Sequence, residues 1–347
     1  MKKILSIILF ALYCSCINNK SDDATVCFTY KDFGNSIELK GEVLPADSLW
    51  KPGNLYFVDS SFVFIDDYYG DYFVLTYNKN LQLISKNVPK GNGPNESVNC
   101  RILQTGSAYI WAFDMALRQM KAYKKNDLLT KDNIPPEKTT SFNEQFFRIA
   151  AISNNNFIGA SISDHDNLLS LYDHNGMKNN TVNAPYPRSM AKDNNLENNM
   201  LFQNRIYYSE KNNKIVVLYI HTDLIDIYDE SLNLLKRIHG PDQFVPELAF
   251  NNNNSAQIIP KKTKFAYAQA RLTSTEIWAL YYGTSPDYSG VESPNRIFVF
   301  DFKGKPLRSY TLEFPVKGGF DIDEENNVLY CLSEITEVSV VKYKFEK

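Results

Sequence analysis

The chain has 347 residues, of which 14% are aromatic, including 22 Tyr and 22 Phe, and its formal net charge is −3. Because the charge is nearly balanced and no basic stripe is present, a surface that neutralises nucleic-acid phosphates is excluded. No long segment has the i, i+3, i+4 apolar spacing of an amphipathic helix, so the composition favours strands and turns.

Residues 1–16 have the composition of a secretory signal, with two lysines, a short apolar segment and small or sulfur-containing residues at the end. The segment is too short to span a membrane. Its end resembles a bacterial lipoprotein signal, in which Ser15 precedes the cleavage point and the thiol of Cys16 receives the lipid. The resemblance implies an outer-membrane lipoprotein of the cell envelope, facing either the periplasm or the cell exterior. An ordinary signal peptide with incidental cysteines is the alternative.

Residues 17–30 begin with a polar, partly acidic sequence and are predicted to form a flexible tether. Three further cysteines follow at Cys27, Cys100 and Cys331. Their odd number and wide spacing argue against a disulfide framework or a zinc site. A bridge between Cys27 and one of the other two stays open at this point, and no cofactor or metal is predicted.

The remaining chain repeats one unit about every 40 to 50 residues. Residues 215–238 show the unit most clearly, as an apolar strand, a short polar break, an alternating strand, a polar turn and the start of another strand. Six such units follow one another: 55–88, 100 to the segment before Pro135, 146–183, 205–238, 264–313 and 319–345.

Four-stranded antiparallel units repeated in a ring are the blades of a β-propeller. The sixth unit contains only three predicted strands, and a closed ring does not tolerate an open edge there. Residues 36–44 alternate between apolar and polar side chains and belong to no other unit. The chain is therefore predicted to be an all-β, six-bladed β-propeller over residues 31–347, monomeric, whose last blade is closed by an N-terminal strand. A β-sandwich or an open solenoid is the alternative.

A short glycine-rich motif, KGNGPNE at residues 90–96, follows the last strand of the first unit. Its Gly91, Gly93, Pro94 and Glu96 match the G-x-G-P-x-E signature of the TolB-like and NHL-like six-bladed propeller lipoproteins of Bacteroidota, which the chain resembles over nearly its whole length. The resemblance implies a fold and a cell-envelope location, but no activity. The motif itself is either a rigid turn between blades or a backbone nest for an anion.

The candidate ligand-binding residues lie in loops that should gather on one face of the ring. Aligning the units on the tyrosine that ends each third strand places His165 and His221 seven residues before Tyr172 and Tyr228. The two histidines are therefore predicted to occupy the same turn of neighbouring blades. The alignment and the long insertions at 186–204, 240–263 and 283–294 add the rest of the predicted ligand face: Asp67, Asp114, Tyr282 and Arg188.

The sequence contains no G-x-S-x-G, H-E-x-x-H or EF-hand motif. We therefore expect a lipid-anchored, non-catalytic binding or scaffold module for a protein, peptide or glycan partner. The alternative is a metal-dependent hydrolase or lyase of the lactonase or amidating-lyase propeller type. In that case His165, His221 and Asp114 would have to converge on the channel.

Overall fold

The computed structural model describes residues 25–44, 52–66, 70–187, 201–244, 248–250, 256–259, 263–284, 293–335 and 337–346. The predictions for Cys16, Asp67 and Arg188 lie outside these residues. Within the described ranges no helix is both long enough and apolar enough to cross a membrane.

The described chain begins with three short strands that do not pair with one another. They are β1 (Thr25–Cys27), β2 (Ile37–Leu39) and β3 (Gly41–Leu44). Each one joins the outer edge of a different blade, so the N-terminal segment runs along the perimeter of the ring.

The first three blades follow in chain order, and each pairs its strands antiparallel from the inside outwards. Blade 1 contains β4 (Asn54–Val58), β5 (Ser61–Ile65), β6 (Tyr72–Tyr77) and β7 (Leu83–Pro89). Blade 2 contains β8 (Cys100–Thr105), β9 (Tyr109–Asp114), β10 (Gln119–Lys124) and β11 (Lys138–Ser141), with helix α1 (Lys125–Thr130) before the last strand. Blade 3 contains β12 (Phe146–Ala151), β13 (Phe157–Ser161), β14 (Asn167–Tyr172) and β15 (Lys178–Pro185).

The second half of the ring adds three blades that all receive an N-terminal strand. Blade 4 contains β16 (Asn204–Ser209), β17 (Lys214–Tyr219), β18 (Leu224–Asp229) and β19 (Leu234–His239). A hairpin, β20 (Leu248–Phe250) and β21 (Ala256–Ile258), precedes blade 5, which contains β22 (Phe265–Leu272), β23 (Glu276–Thr284), β24 (Arg296–Asp301) and β25 (Pro306–Leu312). Blade 6 contains β26 (Phe320–Asp323), β27 (Val328–Glu334) and β28 (Val338–Lys344).

The apolar core lies between the blades rather than in one central mass. Because each blade packs between two neighbours, the middle strands are buried on both faces, as in β17 with its sequence KIVVLY. Among the described residues this gives six apolar clusters, one at each interface between neighbouring blades. The cluster that joins blade 6 to blade 1 packs Leu332 and Val340 against Leu55 and Phe64. The ring is therefore closed, as predicted.

The closure uses the predicted N-terminal segment, but only part of it. Strand β3 pairs antiparallel with β28, with Gly41 opposite Tyr343 and Leu44 opposite Val340, and supplies the fourth strand of blade 6. The prediction that residues 36–44 form one strand there is too long, because β2 pairs in parallel with β25 of blade 5 instead.

The predicted tether, residues 17–30, also needs correction at its end. Strand β1 pairs in parallel with β19 at the outer edge of blade 4. The physical reason is Phe28, which is 2% exposed and packs with its ring centroid 5.4 Å from that of Phe33 and 5.2 Å from that of Phe300. Burial of these aromatic rings holds the segment on the ring.

Blade 2 differs from the prediction at its outer strand. The fourth strand was expected before Pro135, but that position is taken by α1, and β11 begins after Pro136. Leu128 and Leu129 of α1 are buried in the cluster between blades 1 and 2, which explains why this segment leaves the edge of blade 2. The Asn87 side-chain amide of β7 donates hydrogen bonds to the Leu128 and Lys131 carbonyl oxygens, both at 2.9 Å. The helix thereby covers the outer edge of blade 1.

Candidate functional site

The inner strand of each blade lines the central channel and runs from the connection with the preceding blade to the first turn of its own blade. We call the face that carries these connections, together with the turns between second and third strands, the upper face. The opposite face, with the turns between first and second strands, is the lower face.

The structure places the two predicted histidines in equivalent turns on the upper face. His165 lies between β13 and β14, and His221 lies between β17 and β18. Their environments differ, because His165 is exposed whereas His221 is only 8% exposed. Tyr282 lies within β23 near its upper end, rather than in a turn as the alignment suggested.

Asp114 ends β9 at the corresponding turn of blade 2 and is 1% exposed. Its Oδ2 accepts a hydrogen bond from the Val98 backbone N–H at 2.7 Å, and its Oδ1 accepts from the N–H groups of Ala116 and Leu117, both at 3.0 Å. All three donors belong to the backbone around the turn. The carboxylate therefore shapes this turn and is not aimed at the channel.

Phe265 brings two of the predicted residues together at the upper mouth of the channel. It is the first residue of β22, and its ring centroid lies 5.4 Å from that of His221 and 5.8 Å from that of Tyr282. Sequence reasoning missed Phe265, although a phenylalanine at the start of a predicted inner strand was a visible signal. We call His221, Phe265 and Tyr282 the aromatic cluster.

The electrostatics of the aromatic cluster follow from its burial. Burial lowers the pKa of His221 to about 4, so the imidazole is neutral at pH 7. Its Nδ1 atom is buried and forms no hydrogen bond within the described chain. Burial raises the pKa of the Tyr282 hydroxyl, and the positive charge of Arg205 opposes that rise. Arg205 therefore lies within electrostatic range of the Tyr282 hydroxyl.

Two arginines that sequence reasoning did not single out project from neighbouring inner strands. Arg205 is the second residue of β16, and Arg148 is the third residue of β12. Burial, with a smaller contribution from the charge of Arg205, lowers the pKa of Arg148 to about 10. Both arginines stand within otherwise apolar predicted inner strands. This sequence feature identifies them as candidates, since a charged residue there must face the channel or a partner.

The lower part of the channel is closed by paired groups. Arg271 Nε lies 3.3 Å from Asp321 Oδ1, and a guanidinium N–H of Arg271 donates to the Leu55 carbonyl oxygen at 2.8 Å. Its guanidinium carbon lies 4.7 Å from the ring centroid of Tyr56. These contacts join blades 5, 6 and 1 across the channel.

A cavity of about 380 Å³ opens at the lower mouth. There Ser107 of blade 2 donates two hydrogen bonds to the Glu210 carboxylate of blade 4, from its backbone N–H and its hydroxyl, both at 2.8 Å. Glu324 of blade 6 accepts from the backbone N–H and hydroxyl of Ser274. The Glu210 and Glu324 carboxylates thus have partners within the protein, whereas the buried His221 Nδ1 and Arg205 Nε atoms form no hydrogen bond in the described chain.

The glycine-rich motif of residues 90–96 is filled by its own side chain. Glu96 Oε2 accepts a hydrogen bond from the Gly93 backbone N–H at 2.7 Å, and a Cβ added at Gly91 would lie only 2.0 Å from that oxygen. The Lys121 ammonium donates to the Glu96 carbonyl oxygen. The position of an external anion is therefore occupied by Glu96, which favours the interpretation of a rigid turn between blades.

Within the described ranges, no group of three or more His, Cys, Asp or Glu side chains is placed to hold a metal ion. Cys27, Cys100 and Cys331 form no disulfide with one another. Cys27 is exposed, whereas the other two are buried in apolar clusters.

Comparison with solved structures supports the fold. A member of the DUF4221 family from Bacteroides vulgatus aligns with a TM-score of 0.60 at 11% identity, covering 90% of this chain and 97% of its own. A protein from Bacteroides fragilis described as exported aligns with a TM-score of 0.53 at 12% identity, covering 93% of this chain and 99% of its own. At such identities the likeness concerns the fold alone.

A search of curated protein sequences finds no significant match. The family model for the TolB-like 6-blade propeller-like proteins matches residues 32–325. This range holds most of the chain and nearly all of the described ring, including the motif of residues 90–96. The chain therefore belongs to the TolB-like family of six-bladed propellers.

Proposed function

We propose that this protein is a lipid-anchored binding module of the cell envelope, whose propeller holds a protein, peptide or glycan partner at the upper mouth without catalysing a reaction. The observation that carries the proposal is the aromatic cluster. There Phe265 lies against both His221 and Tyr282, and the Nδ1 atom of His221 makes no hydrogen bond in the described chain.

The cluster has the chemistry of a recognition site. Phe265 and Tyr282 are partly exposed, so part of each side chain is accessible to a ligand. Aromatic rings supply contact area at a low cost in conformational entropy, and a tyrosine adds a polar end. His221 adds a neutral imidazole ring that packs against Phe265.

The envelope location rests on the N-terminal sequence. Residues 1–16 combine lysines, a short apolar segment and the Cys16 acceptor, the features that resemble a bacterial lipoprotein signal. A binding module held at a membrane surface needs an anchor, a stable scaffold and a ligand face, and the chain offers a candidate for each.

The experiment is a binding screen of the purified full-length protein against immobilised peptide and glycan arrays. We expect binding to members of one array, weakened at least about tenfold by Phe265→Ala and by Tyr282→Ala, because central aromatic contacts dominate binding energy. Tyr109→Ala is the matched control, since this half-exposed tyrosine lines the cavity of the lower mouth. Absence of binding by the unaltered protein, or equal binding by all variants, would refute the proposal.

A further inference from the structure

The charges along the channel are unevenly paired. In the lower part, Arg271 lies beside the Asp321 carboxylate. In the upper part, the Arg148 guanidinium donates only to the carbonyl oxygen of its neighbour Phe147, at 2.6 Å, and the buried Nε of Arg205 has no hydrogen-bond partner in the described chain. Two cationic groups therefore share the upper channel without a carboxylate among the described residues.

The fold holds the two guanidinium groups together. Arg148 follows an irregularity in the pairing of β12 with β13, where Phe146 and Arg148 oppose the consecutive residues Ser161 and Ala160. Such β-bulges redirect side chains and are frequent beside binding sites. The inner strands β12 and β16 of these adjacent blades contact each other, and Arg148 and Arg205 lie within electrostatic range of one another.

This arrangement works against the folded state when no ligand is bound. Guanidinium groups are cations, and two like charges in a partly buried channel repel each other. Charged groups that a fold holds together without a partner are typical of functional sites, where the ligand supplies the missing charge.

Two tyrosine hydroxyls beside Arg148 complete a set of donors. The Tyr56 hydroxyl accepts a hydrogen bond from the Leu103 N–H at 3.3 Å, and the Tyr207 hydroxyl accepts one from the Ala270 N–H at 3.0 Å. Both tyrosines interact electrostatically with Arg148. Since each oxygen already accepts a backbone hydrogen bond, its own O–H is oriented to donate elsewhere.

We propose that Arg148 and Arg205 form a binding site for an oxyanion, a carboxylate or phosphate group carried by the ligand of the upper mouth. This inference rests on the proposed function and names the chemistry of its ligand. The planar, multidentate donors of arginine match the oxygens of either group, and charge-assisted hydrogen bonds are stronger than neutral ones. The aromatic cluster, next to Arg205, would contact the uncharged part of the same ligand.

The test measures the melting temperature of the full-length protein in sodium acetate, sodium phosphate and sodium chloride at equal ionic strength. We expect acetate, phosphate or both to raise the melting temperature by about 2–5 °C beyond chloride at millimolar concentrations, because a ligand that binds only the folded state stabilises it. A response to acetate alone assigns a carboxylate ligand, and a response to phosphate alone assigns a phosphate ligand.

Variants locate the response. Arg148→Gln and Arg205→Gln should weaken the apparent affinity for the oxyanion at least about tenfold, and in chloride they should melt no lower than the unaltered protein because repulsion is relieved. Arg118→Gln, which removes an exposed charge from the same face, is the matched control and should keep the full response. Arg205→Lys keeps the charge but loses the planar donors, so it should respond only in part.

Two results would overturn the inference: no response beyond chloride in the unaltered protein, or an undiminished response in Arg148→Gln and Arg205→Gln. The array experiment depends on Phe265 and Tyr282 instead. Binding to an array without an oxyanion response would therefore reject this site and leave the proposed function standing. An oxyanion response without array binding would reject the proposed function and leave the oxyanion site standing.

Discussion

His221 shows how burial sets the charge of a single residue. Its imidazole is enclosed beside Phe265, and burial lowers its pKa from an ordinary value of 6.5 to about 4. Between these two values the unfolded chain binds a proton that the folded chain does not. The histidine therefore favours folding above pH 6.5, and this contribution is lost progressively as the pH falls towards 4.

We predict that the free energy of unfolding loses about 3 kcal/mol between pH 7 and pH 4 through this residue, since one pKa unit corresponds to about 1.4 kcal/mol. Urea denaturation of the unaltered protein and of His221→Gln at several pH values measures this loss of unfolding free energy. The two share all other titrating groups, so the difference between their curves isolates His221. Parallel curves over this range would contradict the prediction.

The residues of the upper mouth were only partly predictable from the sequence. The turn positions of His165 and His221 follow from the spacing of strands and tyrosines, and the structure confirms them. The sequence pattern does not reveal which turn is buried, because that depends on contact with Phe265 of the next blade. Arg148 and Arg205 were missed for a similar reason, since their proximity arises between the inner strands of two neighbouring blades.

At the level of elements, the three N-terminal strands have unequal roles. Strands β1 and β2 add a fifth strand to blades 4 and 5, which are already complete, whereas β3 supplies the missing fourth strand of blade 6. Between them, Phe28 and Phe33 pack on Phe298, with ring centroids 5.9 Å and 4.7 Å from it. Losing β3 should therefore damage the ring more than losing β1 and β2.

Graded deletions test this order. We predict that deleting residues 17–24 leaves the melting temperature unchanged, that deleting 17–35 lowers it, and that deleting 17–45 lowers it most and causes self-association. The longest deletion exposes the edge of β28, and each backbone hydrogen bond contributes about 0.5–1.5 kcal/mol. Thermal melting and size-exclusion chromatography measure both effects. Equal melting of the shortest and longest deletions, with both monomeric, would show that β3 is dispensable.

Element prediction worked where the two-residue period is long enough to be recognised. Blades 3, 4 and 5 begin and end within a few residues of the bounds predicted for their units. Strands β1 and β2 have three residues each, too few to show a period, and they pair in parallel with edges that the sequence does not reveal. Helix α1 was missed because Leu128 and Leu129 are held by blade 1, a tertiary contact.

At the scale of the whole molecule, six apolar interfaces support one another around a closed ring. The count of six follows from the repeat in the sequence, since each unit buries its faces only against neighbours. The family resemblance drawn from Gly91, Gly93, Pro94 and Glu96 is confirmed by the family match over residues 32–325. What the ring holds depends on side chains that meet across blades, which no repeat can predict.

The anchoring of the whole molecule is a prediction of its own. We predict that Cys16→Ser moves the protein from the membrane fraction to the soluble fraction, because it removes the acceptor thiol for the lipid. Cys14→Ser is the matched control and should stay with the membrane. Cell fractionation followed by mass analysis of the N-terminus measures the location and the lipidation of each variant. A Cys16→Ser protein that stays in the membrane fraction with unchanged mass would contradict the prediction.

The arrangement of the N-terminal strands has a mechanical consequence. Thr25 lies on blade 4, and the chain then passes over blades 5 and 6 before it closes the ring. A pulling force applied upstream of Thr25 therefore acts first on β1, next on the packing of Phe28 and Phe33, and then on β2. The closing strand β3 carries the load only after these upstream contacts have detached, so the joint between the two ends of the ring is shielded from tension on an anchor.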